Sequence, residues 1–232
     1  MASRRSQPVA GPDPGTAGSP ETPGVVIGNH TRKYTSRNPA IRWLTTRWVA
    51  RLEQVLDLVA AGATGRGGPA RALEVGCGEG VIAQRLTRRW RQVAALDLPD
   101  AGLRAQWRDR PGPGYLHADA QRLPFRDREF EVVVAAEVLE HLPDPERGLA
   151  ELVRVCAGSL VLSVPREPVF RSSNLLAGRY VRDLGNTPGH LNHWSTRSFV
   201  RFVGTLARVR SVATPFPWTV VWATPDGPGR DG

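Results

Sequence analysis

From residue 70 onward, short apolar runs alternate with stretches whose apolar residues recur every three or four positions. The runs lie at 71–75, 92–96, 131–136 and 159–164, with a weaker one at 115–118. The helical stretches lie near 79–90, 100–109, 144–157 and 196–207. Strand followed by helix, repeated, predicts a mostly parallel sheet covered on both faces. Two further strand-like runs, 208–214 and 218–223, meet at Pro215-Phe216-Pro217. So short a connection predicts an antiparallel pair. Upstream, Ile41, Leu44, Trp48, Leu52, Val55, Leu56 and Val59 share one face of a helix over 39–61. Arg42, Arg47 and Arg51 lie mostly off that face. The expected role is a helix packed on the domain; a lid or a membrane-surface contact is the alternative.

The polar stretches divide the chain. Residues 1–24 are rich in Pro, Gly, Ser and Thr and read as a disordered tail. Residues 25–69 form an N-terminal helical cap and linker, and 70–224 the main α/β domain. Within it, 165–195 is a cover over the substrate, and 225–232 is a second tail. No apolar run is long enough to span a bilayer, and no apolar stretch follows the N-terminal arginines as a secretory signal would require. Two cysteines, Cys77 in a turn and Cys156 in a predicted helix, make neither a disulfide framework nor a metal site. A cytoplasmic protein is expected. The net charge is +9, yet of the 31 basic residues all but Lys33 are arginine, scattered among acids as in Arg126-Asp127-Arg128-Glu129. A nucleic-acid footprint is a concentrated patch, so nucleic acid is disfavoured as a partner.

The run Leu73-Glu74-Val75-Gly76-Cys77-Gly78-Glu79-Gly80 carries the most chemistry. A strand ends at Val75, three glycines let the backbone turn and approach a ligand, and Val81 to Leu86 resumes at helical spacing. The bare N–H groups at a helix start suit a carboxylate. A dinucleotide fingerprint wants G-x-G-x-x-G, but here the third glycine comes one residue early. Glu74, two residues before the first glycine, suits a cationic amine. Carboxylate and ammonium together describe an amino-acid head. The 74–80 stretch resembles the first motif of the class I S-adenosylmethionine-dependent methyltransferases, E/D-x-G-x-G-x-G. The plain alternative is a βα turn with glycines for packing.

Later segments extend the resemblance. Asp97 ends the second strand 21 residues after Gly76. The family uses such an acid, with Leu98 beside it, for the ribose hydroxyls; otherwise Asp97 caps the helix starting near Asp100. Asp119-Ala120 matches the family's adenine contact, against a simple turn former. Glu137-Val138-Leu139-Glu140-His141-Leu142-Pro143-Asp144-Pro145 is similar to a segment of the small-molecule, quinone-biosynthesis-like subgroup (methyltransferase type 11). There it lines the methionine end of the cofactor. Asp144 reads as a helix cap with Pro145 at the first position, and Glu140 equally as a solvated surface acid. An aromatic before the first helix, here Tyr34, often folds over the cofactor in this family. The resemblance thus implies a Rossmann-like, seven-stranded, mostly parallel sheet with helices on both faces and a C-terminal antiparallel hairpin. It implies S-adenosyl-L-methionine as cofactor, held by Tyr34, Glu74, Gly76, Cys77, Gly78, Gly80, Asp97, Leu98, Asp119, Ala120, Glu137 and Val138.

The reaction so implied is in-line methyl transfer to oxygen, carbon or nitrogen of a small molecule, with no metal expected. His141, His190 and His193 are the candidates for a general base. Helix capping by Ser195 or Thr196, with histidines that merely hold a loop, is the alternative. Arg166, Arg171, Arg179 and Arg182 suit an anionic acceptor or a solvated surface. An RNA methyltransferase and a non-catalytic cofactor-binding domain are the competing functions. A lipid-like acceptor would bring peripheral membrane contact.

Overall fold

The computed structural model describes Tyr34 and residues 36–63, 71–176, 186, 187 and 189–226. The expected tails at 1–24 and beyond 226, and Arg179 and Arg182, lie outside the described residues. Helix α1 runs from Pro39 to Ala63. There follow β1 (Arg71–Val75), α2 (Val81–Leu86), β2 (Gln92–Asp97), α3 (Ala101–Arg108), β3 (Gly114–His117) and β4 (Phe130–Ala136). A 3-10 turn at Leu139–His141 leads to α4 (Pro145–Val155), β5 (Cys156–Pro165), α5 (Val169–Leu176), α6 (Thr196–Val203), β6 (Ala207–Ala213) and β7 (Trp218–Pro225).

The seven strands form one sheet in the order β3-β2-β1-β4-β5-β7-β6. β1 pairs parallel with β2 and β4, and β7 runs antiparallel between β5 and β6. Apolar residues dominate the central strands, as in Val132-Val133-Val134, because both faces are covered. On one face Ala72, Ala95, Val132, Val134 and Val161 pack with Trp48, Leu52 and Leu56 of α1. On the other Leu73, Val75, Val133, Ala135 and Leu162 pack with Leu149 and Leu152 of α4 and Phe199 and Val203 of α6. The apolar stripe of α1 is therefore core. None of the helices among the described residues is long and apolar enough to cross a membrane.

Two caps follow their sequence signals. The Asp144 side chain accepts from the Arg147 N–H with Pro145 opening α4, and Ser195 caps α6. Three helices end earlier than their periodicity predicts, and the reasons are local. Cys156 is not helical: its backbone is already extended and pairs with Phe130, opening β5. Apolar residues at 153, 155 and 156 satisfy either period, and strand pairing decides. α6 stops at Val203 because Gly204 leads into a turn and Ala207 pairs with Pro225. α2 spans only six residues before a turn.

Candidate functional site

The parallel strands end on one edge. Val75 pairs with Leu96, Asp97 with His117 and Ala136 with Ser163. Because β7 is antiparallel, its first residue, Trp218, pairs with Pro165 and reaches the same edge. Segments far apart in sequence thereby converge there.

The glycine loop leaves β1 with Gly76, Gly78 and Gly80 all at positive φ, +70°, +48° and +79°. A Cβ on Gly76 would collide with Val138 Cγ2. A Cβ on Gly78 would meet no protein atom within 4 Å, so that glycine faces open space where a ligand can approach. The Gly78 N–H donates to Asp97 Oδ2 (2.6 Å), and the Leu98 N–H donates to Oδ1 (2.8 Å). Asp97 thus ties the loop to the end of β2. The cap of α3 is Asp100, whose Oδ1 accepts from Gly102 and Leu103. The capping alternative for Asp97 is corrected accordingly.

Sequence reasoning missed what supports this loop. Trp107 of α3 donates its indole N–H to Gly78 O at 2.8 Å and stacks on Tyr115 of β3 (centroids 4.9 Å apart, planes 7° apart). Tyr115 lies against the backbone of Gly80. Burial raises its phenol to about 12, reinforced by Cys77 and Glu74. His117 contacts Leu98 O through Nδ1 and accepts from Arg104 Nε through Nε2. Asp119 is exposed; its Oδ1 accepts from Gln121 N–H and holds the turn, beside buried Ala120.

Glu74 is buried at 2% exposure and lies in the charge field of Tyr34. Burial, then Glu74 and then Glu137, push the Tyr34 phenol well above its ordinary range. Tyr34 stacks on Trp48 (6.4 Å), and Trp48 on Trp218 (5.3 Å). Trp218 donates Nε1–H to Glu137 Oε2 at 2.8 Å. Glu137 itself sits at φ +64°, a left-handed backbone rare for a non-glycine residue and typical of strained functional turns. Its N–H donates to Ser163 O. Phe170 of α5 then links Trp218 (6.3 Å) to His190 (5.8 Å), and His190 meets His141 edge-on at 4.9 Å. A chain of ring contacts, an aromatic arc, therefore runs from Tyr34 to His141, with Trp48 and Trp218 buried in its middle. Cys77 lies buried in the loop, its thiol driven upward by burial and by Glu74 and Asp97.

Of the three candidate histidines, the fold brings His141 and His190 together. His193 is exposed and contacts Asn186 Oδ1 at 2.8 Å. Glu140 is not a solvated acid: it is 1% exposed, because the loop at 189–192 closes over it. Leu191 and Asn192 both donate N–H to Glu140 O (2.7 and 3.0 Å), and Asn192 Nδ2 bonds Leu139 O and Leu142 O. Glu140, His141 and His190 each present one ligand-type atom, all within 4.8 Å of one another. Two further residues of the expected cover are anchored: Glu167 N–H donates to Trp194 O and Arg166 N–H to Pro217 O.

Residues 73–161 match the family model described as "Methyltransferase domain". Phthiotriol/phenolphthiotriol dimycocerosates methyltransferase 1 of Mycobacterium ulcerans (strain Agy99) is 37% identical over 123 residues, 51% of this chain and 44% of that protein. The demethylmenaquinone methyltransferase of Renibacterium salmoninarum is 30% identical over 153 residues, covering 65% of this chain and 62% of its own. The chain spans about half the length of the curated relatives it matches. Among solved structures, the magnesium protoporphyrin IX methyltransferase (ChlM) of Synechocystis PCC 6803, solved with bound SAH, superposes with a TM-score of 0.61. It is 16% identical and covers 84% of this chain and 92% of that one, a likeness of fold. The matched stretch starts in β1, ends in β5 and takes in the glycine loop, Asp97, Asp119 and the Glu137–His141 turn; over residues 73–161 the chain is similar to a methyltransferase domain, and its sheet shares the fold of a solved methyltransferase.

Proposed function

We propose that the protein transfers a methyl group from S-adenosylmethionine to a small-molecule acceptor. The observation that carries this reading is the cradle at Gly78. Its missing Cβ leaves open space, and the loop is locked to a carboxylate at the end of β2. That donor and acceptor set fits the cofactor: an open backbone for the amino-acid carboxylate, buried Glu74 for the ammonium and Asp97 for two ribose hydroxyls. Asp119 Oδ2 suits the adenine amino group, and the Ala120 N–H a ring nitrogen. Glu137 and Val138 close the methionine end. When bound, the cofactor supplies a methyl group on a positively charged sulfur.

The chain's own residues then orient an acceptor and exclude water. The aromatic arc suits a flat or apolar acceptor, and His141 with His190 forms its polar end. Both curated relatives are named for small-molecule acceptors, which supports the same class here over RNA. The exposed side of α1 supports a lipid-facing role for such an acceptor. Trp43 is 59% exposed with the Arg47 guanidinium 4.9 Å from its ring, and Arg37, Arg42 and Arg51 lie nearby in sequence with no acid between Arg37 and Glu53.

Calorimetry with S-adenosylhomocysteine, with NAD as the negative control, tests the cofactor. Methyl-labelled cofactor incubated with a total cell extract, then fractionated into RNA, protein, lipid and metabolites, tests the acceptor. Label in metabolites or lipids is expected. Label confined to RNA refutes the acceptor class, and no label in any fraction favours a non-catalytic domain.

A further inference from the structure

We propose that Glu140, His141 and His190 form a divalent-metal site of the zinc type at the end of the aromatic arc. No sequence spacing announces it. Glu140 and His141 come from the 3-10 turn after β4, and His190 arrives about fifty residues later on a separate loop.

Three observations carry the inference. The first is convergence: one carboxylate oxygen and two imidazole nitrogens lie within 4.8 Å of one another. Around zinc with bonds near 2.1 Å, tetrahedral ligands stand about 3.4 Å apart.

The second is the orientation of His141. Its Nδ1 stands 2.8 Å from Gly189 O, a backbone carbonyl that can only accept, so Nδ1 carries the proton. Nε2 then holds the lone pair. A ligating histidine is almost always fixed in this way, with its second nitrogen donating to a carbonyl or carboxylate.

The third is rigidity. The loop that delivers His190 is clamped to the turn that delivers the other two ligands. Leu191 and Asn192 donate to Glu140 O, and the Asn192 side chain bridges Leu139 O and Leu142 O. Phe170 packs on His190 from the other side. The segments that carry the three ligands are thus held together before any ion arrives, and Glu140 is buried among them.

Two imidazoles and one carboxylate favour zinc, cobalt or iron(II) over magnesium or calcium, which prefer oxygen ligands. Three protein ligands leave a coordination position open, as in catalytic rather than structural zinc sites. On the methyl-transfer reading, which this clause alone requires, that position takes an acceptor oxygen. The ion would lower its pKa, the proton would leave to solvent, and phenols, enols and related oxygen acids become the favoured acceptors.

The test uses the full chain stripped of metal and titrated with Co2+, then Zn2+. One equivalent of cobalt should give visible d–d absorption, and one equivalent of zinc should abolish it. Glu140→Gln and His190→Ala should each weaken zinc binding by about 100-fold or more, while His193→Asn leaves it unchanged. Far-UV circular dichroism and S-adenosylhomocysteine affinity identify variants that remain folded. If one variant does not fold, the other decides. A parent protein that binds no zinc tighter than about 100 µM overturns the proposal. So does equal binding in the folded variants, which would put the ion elsewhere. Cobalt uptake is read without cofactor, so a chain that binds cobalt but not S-adenosylhomocysteine would fail the methyl-transfer reading and leave the metal site standing.

Discussion

Replacing Asp97 separates two jobs that one carboxylate does in this fold. In the free protein its oxygens hold Gly78 N–H at 2.6 Å and Leu98 N–H at 2.8 Å. On the proposed reading the same carboxylate would also accept from two ribose hydroxyls in the complex. A hydrogen bond to a charged partner is worth about 1.5–3 kcal/mol, partly regained from water. Asp97→Ala should therefore cost about 2–3 kcal/mol of cofactor affinity, roughly 30- to 140-fold at 1.4 kcal/mol per decade. Asp97→Asn keeps one acceptor oxygen but turns an NH2 toward a backbone N–H. It should retain about half of each effect, near tenfold in affinity. Isothermal calorimetry with S-adenosylhomocysteine reads the affinity, and thermal unfolding without ligand reads the loop lock. An Asp97→Ala protein that melts lower yet binds within threefold of the parent would refute a ribose role for this carboxylate. Asp97 would then only fasten the loop.

Other perturbations follow from single contacts. Gly76→Ala should destabilise the free protein more than Gly78→Ala in urea titrations, since only the first drives a Cβ into Val138. The second carries left-handed backbone strain of about 1 kcal/mol and should cost more in cofactor affinity than in stability. Glu151 is held below the usual carboxylate range by its bond to Arg154, so that contact stabilises above the carboxyl's unfolded pKa and is lost as pH falls through the lowered folded value. Glu151→Gln should therefore lower the melting temperature at pH 7, with the difference vanishing in strong acid. Burial raises the Glu167 carboxyl, so its ionisation works against folding as pH rises, and Glu167→Gln should raise the melting temperature at pH 8 with a smaller gain in acid. Burial pushes both thiols up, Cys156 to about 12, so a disulfide reagent at pH 8 should find neither thiol in the native protein and both after denaturation.

The strands were readable because burial on two faces leaves a continuous apolar run, as in Val132-Val133-Val134. Helix ends were not, because the residues around Cys156 and Ala207 satisfy both periodicities and only pairing with Phe130 and Pro225 assigns them to strands. The glycine loop and the acidic end of β2 are local patterns, so the sequence announces them. The aromatic arc is not local: Tyr34, Trp48, Phe170 and Trp218 become neighbours only through sheet order. Glu140 was ambiguous for the same reason. A short polar turn reads as exposed until the loop carrying Leu191 and Asn192 folds back over it.

The antiparallel insertion of β7 also sets a timetable. A ribosome delivers the glycine loop, Asp97 and Glu137 in sequence order, yet the indole that bonds Glu137 belongs to residue 218. Trp48, made early, waits for the same partner. Until the last hairpin emerges, β5 has an open edge and the aromatic arc lacks Trp218. A nascent chain stalled before β7 would therefore hold most ligand-facing residues and still lack a closed pocket, so ligand capture during synthesis should coincide with release of the final strand.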